Sequence, residues 1–422
     1  MNRERNIPPL APTGAALFVS NLTRRHLVAR YWQLLFQAST LVGVVVLVTL
    51  LITIVNSAFG YVAVENKVNP ASLALNGVTI EELSRDQLVT ILEQGVSKGL
   101  FRRLEHDKPF AERSWQEVYQ LVIERVVQPK VVARWSLLRS LFDSAAVRAE
   151  AASRYPRAVL RFERWLDWRF IASPQSSDPL RAGVRTAILG SLWTILIAIT
   201  CAFPIGIGAA IYLEEYASEN WANRLIRTNI NNLAGVPSII YGMLGLAIFV
   251  RSLERLTSGA AFGLMDSATA NGRTVLSAGL TLGLLILPLI IISAQEAIRA
   301  VPASLKQASL ALGATHWQTV WHHVLPSALP GILTGTILAI SRAIGETAPL
   351  VVVGASTFIT VDPTDPFSKF TTLPIQIYQW TARPQDVFRN IAAAAILVLL
   401  CLLLSLNATA ILLRNRYSRR IG

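Results

Sequence analysis

The sequence predicts an all-α membrane protein with about six transmembrane helices and a helical extracytoplasmic insertion. Its 422 residues are 52% hydrophobic and only 15% charged, and the mean hydropathy is +0.45. A helix needs about 20 apolar residues to cross a bilayer, and five stretches without Asp, Glu, Lys or Arg satisfy this length. They lie between Arg30 and Glu65, Arg185 and Glu214, Arg227 and Arg251, Arg273 and Glu296, and Arg389 and Arg414.

A sixth stretch, from Ala328 to about Phe358, is equally apolar but contains Arg342 and Glu346. The first stretch exceeds the roughly 7–15 apolar residues of a signal peptide, so we expect it to remain as a membrane anchor. The stretches predict an N-terminal tail over residues 1–31, a first transmembrane helix over 32–59 and a core of five helices over 182–422.

Loop charges predict the orientation of these helices. With the N-terminus in the cytoplasm, thirteen Lys and Arg residues of the tails and short loops lie inside and six lie outside. Positive residues accumulate in short cytoplasmic loops, so we expect both termini in the cytoplasm. The net charge of +13 then reflects orientation in the bilayer, and no nucleic-acid partner is expected.

Residues 60–181, the inserted segment, are polar and carry charges of both signs, which predicts a solvated helical domain outside the membrane. Near its end, Trp165, Trp168 and Phe170 fit either an aromatic belt at the membrane surface or an ordinary packed core. Apolar residues recur twice at helical spacing within the segment. These residues are Leu88, Ile91 and Leu92, and then Trp115, Val118, Leu121 and Val122.

No pattern in the chain predicts an enzyme, a metal site or a bound cofactor. The phosphate-binding pattern G-x-x-x-x-G-K-[ST] is absent. Gly206-Ile207-Gly208 lies in an apolar run, where small residues allow close helix packing. His322 and His323 are adjacent and would point to different faces of a helix. The two cysteines, Cys201 and Cys401, lie in apolar runs and provide no metal-binding spacing.

A two-helix elbow is predicted on the cytoplasmic side, between the fourth and fifth spans. Gly313 suits the left-handed conformation that ends a helix, and Thr315 with Gln318 forms a capping box for the next helix. An exposed apolar face on this second helix would need a partner. The predicted face contains Trp317, Val320, Trp321 and Val324, and the helix is expected to close at Leu325-Pro326.

The spacing of this segment resembles the coupling loop of ABC-importer permeases, which reads E-A-A, three residues, Gly, nine residues, Ile, one residue, Leu-Pro. Gln307, Ala308 and Ser309 stand for the triplet and Gly313 for the glycine; His323 replaces the isoleucine, and Leu325 and Pro326 complete the pattern. The resemblance implies that the loop, residues 296–327, docks on a separate ATPase subunit, where ATP binds. A glycine-capped helix hairpin without a partner is the alternative.

Arg342 and Glu346 are charged residues within an apolar stretch. Four residues apart on a helix, they share one face, and a lone charge at the membrane centre costs at least about 2.5–3.5 kcal/mol. The planar guanidinium of arginine suits an oxyanion with several acceptor oxygens. We expect the pair to lie on a substrate path, and a structural ion pair between two helices is the alternative.

Residues 342–350, together with 232–242, resemble the PstA permeases of phosphate-specific ABC importers, and residues 212–216 and 373–378 are similar too. The resemblance covers the chain from about residue 181 onward and the first helix, whereas shorter family members lack the inserted segment. It implies a permease core in a bacterial inner membrane, a second permease of the PstC type, a dimer of ATPase subunits and an extracytoplasmic phosphate-binding protein.

The sequence therefore predicts a permease subunit that moves inorganic phosphate by alternating access. Two alternatives remain at this point. One is a permease for another oxyanion such as sulfate or molybdate, which an arginine would suit equally. The other is a membrane-anchored sensor or scaffold whose external domain performs the function.

Overall fold

The computed structural model describes residues 22–75, 78–264, 271–355 and 358–418. The chain divides into two units, residues 1–53 and residues 54–422. Of the expected N-terminal tail, residues 1–21 lie outside the described residues. Helix α1, Leu22–Ala58, is apolar on all sides, and its side chains from residue 24 to 53 are mostly exposed. A helix that is hydrophobic all round is typical of a membrane span.

The inserted segment combines helices with a small antiparallel sheet. Its strands are β1 (Phe59–Asn66), β2 (Pro129–Arg134) and β3 (Val159–Arg164), and they pair in the order β2-β1-β3. The insertion, expected to be helical, therefore also contains a small sheet, and the protein as a whole is a helical membrane protein, as predicted. The helices of the segment are α2 (Arg85–Gly95), α3 (Lys98–Asp107), α4 (Trp115–Val122), α5 (Leu137–Phe142), α6 (Ser144–Arg154) and α7 (Trp168–Ala172).

The two helices expected from apolar spacing in this segment are confirmed as α2 and α4. A capping box starts each of them, formed by Ser84 with Gln87 and by Ser114 with Glu117. The buried faces of the two helices meet in one hydrophobic cluster, which explains the spacing of their apolar residues. The buried members on these helices are Leu88, Ile91, Leu92, Val118 and Val122.

The membrane core follows from α8 onward. Among the described residues, five helical stretches are long and apolar enough to cross a membrane: 24–58, 185–216, 275–299, 316–345 and 387–416. The helices of the core are α8 (Arg185–Ile211), α9 (Trp221–Ala234), α10 (Ser238–Gly245), α11 (Glu254–Thr257), α12 (Val275–Arg299), α13 (Ala303–Ala311), α14 (His316–Thr319), α15 (Leu325–Gly345), α16 (Ala348–Val353), α17 (Leu373–Thr381) and α18 (Val387–Ser418).

The third charge-free stretch is not one straight helix. The helical pair Trp221–Ala234 and Ser238–Ser252 is bent by 106° and provides a sixth span if it is counted as one. The bend falls at Gly235-Val236-Pro237. Proline has no backbone N–H and disfavours helical geometry in the preceding residue, so the helix ends before it and restarts after it.

Helix α12 is the most buried span and packs between α8 and α15. Small residues bring its backbone close to α8. A Cβ at Gly279 would lie 2.6 Å from Ile197, and one at Gly206 would lie 2.7 Å from Ile290. This contact supports a packing role for Gly206. Nothing lies within 4 Å of a Cβ at Gly208.

The sheet shares one hydrophobic core with the ends of the membrane helices. Val62 and Val64 of β1 lie in the same buried cluster as Trp380 of α17 and Ile391 of α18. Trp165 and Phe170 also belong to this cluster, whereas Trp168 is 79% exposed. Two of the three aromatic residues near residue 170 are therefore ordinary core residues.

Candidate functional site

The predicted elbow, in the loop of residues 296–327, turns at Gly313 through a Schellman motif. Gly313 has φ +85°, its N–H donates to the Leu310 carbonyl at 3.0 Å, and the Ala314 N–H donates to the Ser309 carbonyl at 3.3 Å. These two bonds satisfy the last carbonyls of α13. No atom lies within 4 Å of a Cβ placed at Gly313. The glycine is therefore required by backbone conformation and not by space.

Side-chain hydrogen bonds fix the second arm of the elbow. Thr315 and Gln318 form the expected capping box at the start of α14. The Ser309 and Thr319 hydroxyls lie 2.9 Å apart and join α13 to α14. Ser309 is buried, whereas Gln307 and Ala308, the other members of the predicted triplet, are exposed. One residue of the triplet therefore packs inside the elbow, and the other two lie on its surface.

The apolar face expected on the second arm is divided by the structure. Val320 and Val324 are 1% exposed, whereas Trp317 and Trp321 are 55% and 51% exposed and stack with ring centroids 5.5 Å apart. Trp321 and both valines lie in a single π-helical turn, Val320–Val324, which directly follows α14. With Leu312, which is 89% exposed, the two tryptophans form an exposed apolar surface on the elbow.

Leu325-Pro326 does not close this helix, contrary to the expectation. The helix continues from His316 to Gly345 and so joins the elbow directly to the fifth span. Pro326 lies in the first turn of α15, directly after the π-turn. A proline there interrupts little, because the wider turn has already displaced the regular hydrogen bonds.

Arg342 and Glu346 lie across a break between α15 and α16. Helix α15 ends at Gly345, and Glu346 has an extended backbone with ψ 119°. The two side chains still meet, with Arg342 Nε 3.4 Å from Glu346 Oε1. The Arg342 side chain is 46% exposed and that of Glu346 is 20% exposed. Within the part of the chain that the structure describes, Glu346 is the one acidic partner of Arg342, so most of its N–H donors are available to a ligand.

The helix that follows the break beside Arg342 packs against the helix that follows the bend of the third span. Val236 in the bend and Ala343 in the last turn of α15 belong to one hydrophobic cluster, together with Tyr241. A Cβ at Gly242 would lie 2.6 Å from the Pro349 backbone, so α10 and α16 are in close contact. Two interrupted helices therefore meet beside one arginine. Interrupted helices of this kind form the substrate sites of many transporters.

The sequence predicts that Arg342 and Glu346 form a pair, which the structure shows, but it did not predict the second interrupted helix. The signal was present in Gly235 and Pro237, since glycine and proline close together mark a probable helix boundary. The sequence also did not predict a second group of paired charges. Glu214 and Glu215, directly after α8, pair with cations from three other elements.

Comparison with known proteins agrees with this architecture. The family described as "binding-protein-dependent transport system inner membrane component" matches residues 202–421, more than half of the chain. The probable ABC transporter permease protein YqgI of Bacillus subtilis is 32% identical over 281 residues, which cover 63% of this chain and 90% of YqgI. The phosphate transport system permease protein PstA 1 of Mycobacterium tuberculosis is 36% identical over 245 residues, covering 58% and 74% of the two chains.

Among solved structures, an inward-facing MetNI methionine ABC transporter is similar, with 19% identity, a TM-score of 0.43, and coverage of 57% of this chain and 99% of that one. The predicted family is confirmed by the sequence matches. The chain is a transport subunit, and the ATPase with which such permeases work is a separate subunit, as is their substrate-binding protein. The chain belongs to the family of binding-protein-dependent inner-membrane permeases of ABC transporters.

Proposed function

We propose that this permease carries inorganic phosphate and that Arg342 binds the anion during its passage. One observation carries the proposal: a half-exposed guanidinium lies where two interrupted helices meet, paired with a single carboxylate. Placing an arginine in an apolar span costs free energy, and such residues usually mark substrate paths. The similarity to PstA 1, a phosphate transport permease, supports phosphate as the substrate.

Glu346 supplies a reason for selecting phosphate over other oxyanions. Near neutral pH, phosphate retains an O–H group, and this group can donate a hydrogen bond to an adjacent carboxylate. Sulfate and molybdate are fully ionised, so the same carboxylate repels them and offers them no donor. Arg342 and Glu346 together therefore favour an oxyanion that still carries a proton.

The proposed partners are those that the resemblance to PstA permeases implies. We infer that the elbow surface of Leu312, Trp317 and Trp321 docks on the ATPase dimer, and that ATP binds there and not to this chain. A second permease of the PstC type would face Arg342 and complete the path. A phosphate-binding protein would deliver the anion from outside. Both termini would then lie in the cytoplasm.

The test reconstitutes the complete complex in vesicles and measures phosphate uptake per inserted permease. Arg342→Lys keeps the charge but loses the planar fork, so we expect specific uptake to fall about tenfold, which corresponds to about 1.4 kcal/mol. Arg342→Ala should be worse, because it also leaves Glu346 unpaired. Glu346→Gln removes the repulsion, so sulfate should inhibit phosphate uptake more strongly than it does in the wild type.

Arg389→Lys is the matched control, since Arg389 is 60% exposed and pairs only loosely with Asp386 at 3.6 Å. Its uptake should remain normal. Normal uptake per molecule in Arg342→Ala, combined with a lower amount of folded protein, would show that the Arg342–Glu346 pair is a structural staple. ATP hydrolysis stimulated by sulfate or molybdate but not by phosphate would replace phosphate with that anion as the substrate.

A further inference from the structure

A turn with two largely covered acidic side chains directly follows α8. The last residues of this span, Tyr212–Tyr216, form a π-turn that carries Glu214 and Glu215. Their side chains are only 11% and 6% exposed. Carboxylates so deeply buried are tolerated only when cations pair with them.

The cations that pair with this turn come from three different elements. Glu214 Oε1 accepts from Arg227 of α9 at 3.1 Å and from Arg299 at the end of α12 at 2.7 Å. Glu215 pairs with Lys306 of α13. The π-turn is therefore the point at which α9, α12 and the elbow are joined.

An aromatic contact adds the second arm of the elbow to the same turn. The rings of Tyr216 and His316 stack with centroids 4.9 Å apart and an interplanar angle of 27°. Lys306 directly precedes the triplet at Gln307, and His316 begins α14. Both arms of the elbow thus contact one five-residue turn.

The turn is also linked, through α9, to the proposed substrate path. Arg227 lies on α9, and α9 ends at the bend, where Val236 packs against the hydrophobic cluster that includes Ala343 of α15. A displacement of the elbow would reach this bend through Glu215, Glu214 and α9. The cationic partners are 27–56% exposed, and ion pairs that are partly exposed contribute little net stability. Their retention here fits a role in fixing the relative positions of the elements that they join.

We propose that Glu214 and Glu215 are positioning residues that transmit movement of the ATPase-docking elbow to the bend of the third span. The proposal rests on the proposed function only in treating the elbow as the ATPase contact. It does not depend on which anion is carried. Reversing the charge of Glu214 or Glu215 alone should stop this transmission of movement. Reversing the charges of both members of one ion pair should restore it.

The test follows movement of α9 in the assembled complex, with Cys201 and Cys401 replaced by alanine. Asn232 is exposed on α9, so Asn232→Cys reports by its rate of reaction with a thiol reagent, with and without bound ATP. ATP should change this rate at least about fivefold, the low end of typical coupling between sites. Glu215→Lys should abolish the change while the ATPase remains bound.

Glu215→Lys combined with Lys306→Glu should restore more than half of the change. Asp386→Lys, in an exposed pair, is the control and should leave the response intact. If Glu215→Lys does not assemble, Lys306→Gln carries the same test without placing a cation in the core. A full response in the single variants, or no ATP response at Asn232→Cys in the starting protein, would overturn the proposal. If the permease carries another anion, the complex would show no phosphate uptake but would still show the thiol response. Failure of the proposed substrate is therefore distinguishable from failure of the proposed role of Glu214 and Glu215.

Discussion

A glycine is required at position 313 for its backbone conformation and not for lack of space. Its φ is +85°, and an added Cβ would meet no atom within 4 Å. Gly313→Val should therefore weaken ATPase binding about 5- to 30-fold, the equivalent of roughly 1–2 kcal/mol for a left-handed residue with a side chain. Titration of the solubilised permease with the ATPase subunit measures this affinity.

Gly313→Asn is the matched variant, since asparagine tolerates the left-handed conformation better than valine does. It should lose little affinity. Equal, wild-type affinities for the two variants would mean that the elbow does not need this turn to dock.

Residues whose roles depend on near neighbours were predictable from sequence, and those whose roles depend on distant partners were not. Gly313, Thr315 and Gln318 form a helix end and a helix start within six positions, and the structure confirms all three. Glu214 instead meets Arg299, 85 positions away. Nothing in the local pattern distinguishes this glutamate from a solvated one, because tertiary packing alone brings in its partner.

At the scale of elements, α10 approaches α12 so closely that only glycine fits at position 245. A Cβ there would lie 2.1 Å from the Thr281 hydroxyl, and Thr281 is fully buried. Gly245→Ala should therefore destabilise the folded protein by about 1–3 kcal/mol, as overpacked cores do. Thermal unfolding in detergent, followed by size-exclusion chromatography, measures the loss.

Gly208→Ala is the control for this substitution. Gly208 also lies within a membrane helix, but no atom lies within 4 Å of an added Cβ. Alanine there should be neutral or slightly stabilising, since glycine is a weaker helix former by about 1 kcal/mol. Equal stability of the two variants would show that α10 and α12 can separate without cost.

Proline shows why the boundaries of elements were harder to predict than their existence. Pro237 ends a helix, whereas Pro204 and Pro288 lie inside α8 and α12 without ending them. Pro326 follows a π-turn and lets the helix continue. The outcome at each position depends on whether neighbouring helices and wider turns accommodate the missing hydrogen bond. A single sequence does not contain that information.

For the whole molecule, the charge asymmetry of the short loops predicts that the inserted segment and the elbow lie on opposite sides of the membrane. Asp107 in the inserted segment and Glu219 after α8 are both exposed. In intact cells, an impermeant thiol reagent should label Asp107→Cys and not Glu219→Cys. Permeabilised cells should show labelling at both positions. Labelling of Glu219→Cys from outside would reverse the predicted orientation.

The number of membrane-spanning segments was predictable because each contains a long, mostly apolar run of residues. The sheet of the inserted segment was not. Strand β1 continues the charge-free stretch of the first span, so its apolar residues resemble the end of that helix. Its partners, β2 and β3, lie more than sixty positions further along the chain. Pairing over such distances leaves no local spacing to detect.

The core shared by β1, Trp165 and Ile391 also has a consequence for the timing of biogenesis. Strand β3 ends at Arg164, and at typical synthesis rates of about 5–20 residues per second, Ile391 is made roughly 10 to 45 seconds later. Until then, the sheet has an open apolar side. A nascent chain of this permease therefore depends for that interval on chaperones or the insertion machinery, and truncation before α18 would leave a target for quality-control proteases.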